Sequence, residues 1–166
     1  ETVELRLRLW SPTEGDVADP AWPTTPFEDL MAEREAEADE FYAAIAPAER
    51  SSQEVAVMRQ AFAGMIWTKQ FYRYDVKLWL EGDPQEPPPP PGHKHIRNQN
   101  WRHFEAYDVL SMPDAWEYPW FAAWDLAFHT VVFAHVDPEY AKYQLAVMLR
   151  EWYMHPNGAI PAYEWS

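Results

Sequence analysis

Trp116-Glu-Tyr-Pro-Trp-Phe-Ala-Ala-Trp-Asp-Leu-Ala-Phe-His129 is the stretch on which the reading of the fold turns. Pro119 suits the first turn of a helix, and the apolar residues after it continue at helical spacing to His135 or Val136. Asp125 then falls in the second turn, among indole and phenyl rings. Two readings of that acid stand side by side. In one, the helix is ordinary core and Asp125 is a cap or an ion-pair partner. In the other, desolvation keeps a carboxylic acid protonated among the rings, and flat aromatic faces beside a proton donor are what a sugar-processing site uses. Glu117 competes for the acid role, although Asp114-Ala-Trp-Glu117 also fits a local cap. His129, one turn after Asp125, is either a satisfied core histidine or a partner that adjusts the acid's protonation.

Downstream, Asp137-Pro138 caps and starts a further helix, expected over 139–154, with Tyr140, Tyr143, Leu145, Met148, Leu149 and Trp152 as its buried set. His155-Pro-Asn-Gly158 then reads as a tight turn. Upstream, Gln85 to Gly92 holds five successive prolines, an extended strut that allows neither helix nor central strand. Residues 93–113 read as one long connection. His93 and His95 could share a metal, but no third ligand stands at useful spacing, so a solvated loop is preferred. Trp101, Arg102 and Tyr107 in the same connection are candidate contacts for sugar hydroxyls, or else residues that anchor the loop.

Nearer the start, Ser51-Ser-Gln-Glu54 is a capping box, and apolar spacing carries a helix from it to about residue 80. Its second half is aromatic on two faces, which places Trp67, Lys69, Gln70 and Tyr74 in a helical core rather than a cleft. Thr24-Thr-Pro26 caps an earlier helix with Phe27, Leu30, Met31, Ala38, Phe41, Tyr42 and Ile45 on one face, closed by Pro47. Thr2 to Leu9 alternates as a half-buried strand whose sheet must lie upstream or in a partner. The expected division is therefore 1–12 as the end of an upstream β domain, 13–25 as linker, and 26–166 as helices in antiparallel pairs. The chain reads as a piece of a longer protein.

A net charge of -14 repels polyanions, so nucleic acid and anionic membranes are poor partners. Without cysteine there are no disulfides or thiolate metal sites, and no metal or other cofactor is called for. No signal peptide or bilayer-spanning apolar run stands out, and the cytoplasm is the working expectation for location. The sequence sets no oligomeric state. Ten tryptophans exceed the needs of a packed core and favour ligand-facing rings.

Three segments in order carry a resemblance. Ala61-Phe-Ala-Gly-Met-Ile-Trp-Thr-Lys-Gln-Phe-Tyr72, Ser111 to His129, and Glu151 to Trp165 are similar to glycoside hydrolase family 63, in its bacterial mannosyl-oligosaccharide glucosidase-like and mannosylglycerate hydrolase-like branch. The resemblance covers about residues 26–166 and centres on Trp124-Asp-Leu-Ala-Phe-His129. It implies a partial (α/α)6 barrel behind a β-sandwich domain, of which the first strand would be the tail. It also implies inverting hydrolysis of an α-glucosidic or α-mannosidic bond, with Asp125 as general acid and Trp120, Phe121 and Trp124 shaping the subsite. Gly158-Ala-Ile-Pro-Ala-Tyr-Glu164 resembles a segment carrying a site-lining acid, with the spacing of Glu164 shifted. The general base would lie beyond Ser166. The alternative expectation is a helical domain that binds carbohydrate in an aromatic cleft without cleaving it.

Overall fold

The capping box forms as its residues dictate. Ser51 Oγ accepts from Glu54 N at 3.3 Å and Glu54 Oε2 accepts from Ser51 N at 2.9 Å, opening helix α2 (Ser52–Ile66). The computed structural model describes residues 2–7, 26–95, 99–112 and 122–160, which fall into two compact units, Glu1–Ala48 and Glu49–Ser166. Half of the described residues are helical, and the sheet among them has two strands.

In the first unit, α1 (Phe27–Ile45) starts from Pro26, whose fixed φ suits the entry, with Glu28 and Asp29 complementing the helix dipole in its first turn. No side chain of Pro26 can cap it, and Thr24 and Thr25 lie outside the described residues. Of the expected apolar face only Tyr42 is fully buried, while Phe27, Met31 and Phe41 remain exposed. Arg6 bridges Glu4 and Glu28, 2.7 Å from each, and lies over the Phe27 ring. Residues 2–7 pair with no strand among the described residues, and Val3, Leu5 and Leu7 are exposed.

The second unit corrects the expected helix over 52–80. The Thr68 hydroxyl donates to Met65 O at 2.6 Å as α2 ends, and Lys69–Asp75 continues as strand β1 before a short helix, α3 (Val76–Glu81). Phe71, Tyr72 and Tyr74 suit a pleated surface, and alternation there competes with helical spacing. Asp75 caps α3 by accepting from Leu78 N, and Gly82 ends it with φ 88°.

Residues 105–111, expected within the long connection, form the partner strand β2 (Glu105–Ser111). It runs antiparallel to β1 with Lys69 opposite Ser111 and Asp75 opposite Glu105. Met112 N donates to Thr68 O and Val76 N to Phe104 O, closing the ladder at both ends.

Helices α4 (Ala123–Val136) and α5 (Pro138–Met148) share Asp137, which ends the first and caps the second by accepting from Tyr140 N at 3.0 Å. The buried face of α5 is Ala141, Gln144, Val147 and Met148. Tyr143, Leu145 and Leu149 of the expected set are exposed, and the helix stops at Met148 rather than near residue 154. Gln144 explains the rotation. Its Oε1 accepts from Ser111 N and its Nε2 donates to Val109 O, so it satisfies the free edge of β2 and turns that face of α5 inward.

The core joins Tyr72, Val76 and Leu80 to Phe104, Ala106, Leu110, Met112, Leu126 and Tyr153. Tyr153 is fully buried, and its hydroxyl donates to Asp108 Oδ2 at 2.9 Å. Tyr143 also donates to Asp108. Burial pushes the Tyr153 hydroxyl well above the ordinary tyrosine range, with the Asp108 charge adding to it. Its hydrogen bond to Asp108 raises Tyr143 to about 12.

Candidate functional site

Asp125 lies in the first turn of α4, not the second, because the helix begins at Ala123. A carboxylate there is favoured by the helix dipole, so an uncomplicated cap would be the simplest account. The surroundings add to it. Asp125 Oδ2 is shielded from solvent and has no hydrogen-bond partner among the described residues. Such an oxygen costs about 1–3 kcal/mol unless something satisfies it.

Around this acid α4 presents two rings to solvent. Trp124 is 55% exposed and Phe128 68%, with ring centroids 6.5 Å apart and nearly perpendicular. Two exposed rings one turn apart offer the broad apolar faces on which a sugar ring stacks.

Behind the acid the structure assembles a polar chain that neither residue type nor spacing announces. His129 is half-buried, one turn after Asp125, and its Nδ1 lies 2.6 Å from Ser111 Oγ. Ser111 Oγ in turn lies 2.7 Å from Thr68 Oγ1. The helix end before β1, the last residue of β2 and the flank of α4 therefore meet in one line of hydrogen bonds. Burial holds the His129 imidazole below its ordinary value, opposed by the charge of Asp125. Ser111 is only 2% exposed, so it serves as a support inside the fold and not as a nucleophile.

The remaining candidates are held elsewhere. Trp101 packs against His103 and His155, with ring centroids 5.7 and 5.3 Å away. Arg102 forms an ion pair with Glu81 at the end of α3. Tyr107 stands on the outward face of β2, 66% exposed, edge-on to Phe71 at 5.0 Å. No described contact joins any of the three to Asp125. Glu117, Trp120, Phe121 and Glu164 lie outside the described residues. Of the residues first assigned to a helical core, Lys69 pairs with Asp137 at 2.6 Å and lies over the Tyr140 ring, while Trp67 is 82% exposed.

Among the described residues no cluster of three or more His, Asp or Glu side chains is placed to hold a metal ion, and no helix is long and apolar enough to cross a membrane. His93 Nε2 is instead 2.7 Å from Trp79 O, with its ring against the Trp79 indole.

Compared with known proteins, the chain matches no family model and no solved structure. It is 52% identical over 141 residues to an uncharacterized protein of Saccharomyces cerevisiae, a match that takes in 84% of this chain and 13% of the yeast protein.

Proposed function

We propose that this chain carries the proton-donor half of an inverting glycoside hydrolase that cleaves an α-glucosidic or α-mannosidic bond, with Asp125 as general acid. The observation that carries the reading is the shielded Asp125 Oδ2, without a hydrogen-bond partner among the described residues, next in the chain to the exposed ring of Trp124. A carboxyl oxygen that is to carry a transferable proton must not already be engaged by protein donors, and desolvation favours its protonated form. Trp124 supplies the stacking face, with Trp120 and Phe121 proposed beside it from the resemblance. The helix pair α4 and α5 is then one hairpin of an (α/α)6 barrel.

Inversion needs a second carboxylate about 6.5–9.5 Å from the first, with a water between them. We place that base in a part of the protein beyond this chain. Exposed rings at Trp124 and Phe128 favour one other reading, in which the site binds carbohydrate without cleaving it.

The test is hydrolysis of aryl α-glucosides and α-mannosides by the intact protein and its Asp125→Asn variant. Turnover should fall by a factor of about 100 to 10,000, the usual contribution of a general acid, with the thermal midpoint little changed. Near-normal turnover in the variant removes Asp125 from the acid role. Sugar binding by an intact protein that never hydrolyses it supports the second reading.

A further inference from the structure

The proton direction along Thr68, Ser111 and His129 follows from counting donors. A backbone carbonyl only accepts, so at 2.6 Å from Met65 O the Thr68 hydroxyl must spend its single proton there. Ser111 must then supply the proton across the 2.7 Å gap to Thr68 Oγ1. That uses the one proton Ser111 has. The 2.6 Å contact between Ser111 Oγ and His129 Nδ1 is left with a single possibility, in which the ring nitrogen carries the hydrogen and donates it.

The other ring nitrogen is thereby defined. Burial disfavours the imidazolium, and a neutral ring protonated at Nδ1 has a bare lone pair at Nε2. Nε2 points away from Ser111, and no partner is found for it among the described residues. Asp125 sits one helical turn earlier, close enough for its charge to act on the ring.

We propose that Thr68 and Ser111 lock His129 as the Nδ1–H tautomer, leaving its Nε2 lone pair as a fixed hydrogen-bond acceptor on α4, one helical turn from Asp125. The relay fixes the ring through the residue before β1, the last residue of β2 and α4 together.

The tautomer is read directly by two-bond nitrogen–proton NMR on the histidine-labelled chain at neutral pH, with His129→Gln identifying the signals. The expected spectrum is the Nδ1–H form in the parent chain. Thr68→Val, nearly the same shape without the hydroxyl, should move His129 towards the other tautomer, and Thr68→Ser should keep it. Ser111→Ala should act as Thr68→Val does, and because Ser111 is buried, Thr68→Val decides the matter if Ser111→Ala does not fold. An Nε2–H signal in the parent chain overturns the relay.

Discussion

At the scale of single residues, His129 links the site to the stability of the fold. Burial lowers its pKa in the folded chain, against an ordinary value of 6.5 when unfolded. Above that value both states are neutral and the residue makes no pH-dependent contribution. As pH falls through 6.5 the unfolded chain takes up a proton that the folded chain refuses, so stability drops until the lower folded pKa is reached. The urea midpoint should therefore fall between about pH 7.5 and about pH 5, and His129→Gln should flatten that fall. Equal pH dependence in the variant would remove His129 as its source. The placement of Asp125 and His129 one turn apart on one helix is legible in the sequence. The relay behind them is not, because Thr68 and Ser111 are 43 positions apart and meet only through strand register. A hydroxyl signals nothing by itself, and the register that aligns two of them exists only once β1 and β2 pair.

At the scale of elements, caps were the most readable features. Ser51 and Asp137 act locally, through side chains that cap backbone a few positions away, and the structure uses each where the sequence suggests a boundary. Strand β1 was hidden for the opposite reason. Its aromatics continue the helical spacing of α2, and the alternation that favours a strand is rewarded only by β2, thirty or more residues on. Gln144 carries no signal of its own in the sequence, because its value lies in matching a strand edge that spacing alone does not mark.

Asp137 tests the capping argument at this scale. Asp137→Ala should cost about 1–2 kcal/mol by removing the α5 cap, whereas Asp137→Asn keeps a good cap and loses only the charge opposite Lys69. That ion pair is partly exposed, with side chains 26% and 38% accessible, so the Asn variant should lose under about 1 kcal/mol. The hydrogen bond from Lys69 holds Asp137 below the usual carboxylate value of 3.8. Its contribution is accordingly present above 3.8 and disappears as pH falls through the lower folded pKa. Denaturant midpoints of the two variants across that range separate cap from charge, and equal losses would show that the pair outweighs the cap.

Glycine offers a second comparison between elements. Gly82 and Gly158 both adopt left-handed φ, at 88° and 86°. A Cβ on Gly82 would come within 2.6 Å of Pro89 Cδ, where the proline run passes the end of α3, whereas one on Gly158 would meet open space. Both alanine variants carry backbone strain of about 1–3 kcal/mol. Only Gly82→Ala must also displace a proline ring, so it should show the larger drop in thermal midpoint, and an equal drop would mean that the strut moves freely.

At the scale of the whole molecule, two opposing terms set how the chain behaves in solution. Along α4, Trp124, Phe128 and Val131 form an exposed stripe, with Val131 66% accessible, and α2 has no fully buried side chain. Contiguous apolar surface of this kind drives association. The net charge of -14 acts against it, because like-charged copies repel at a distance that salt shortens. Added salt should therefore strengthen self-association of the chain, the reverse of what an interface held by ion pairs would do. Replacing Phe128 and Val131 with glutamine changes no charge, so it isolates the apolar term. Sedimentation velocity at low and high salt should show the parent chain associating as salt rises and the double variant remaining smaller, with thermal midpoints alike because neither side chain is buried. Association that weakens with salt would place the attraction in charged groups, and association unchanged by the double substitution would move it away from α4.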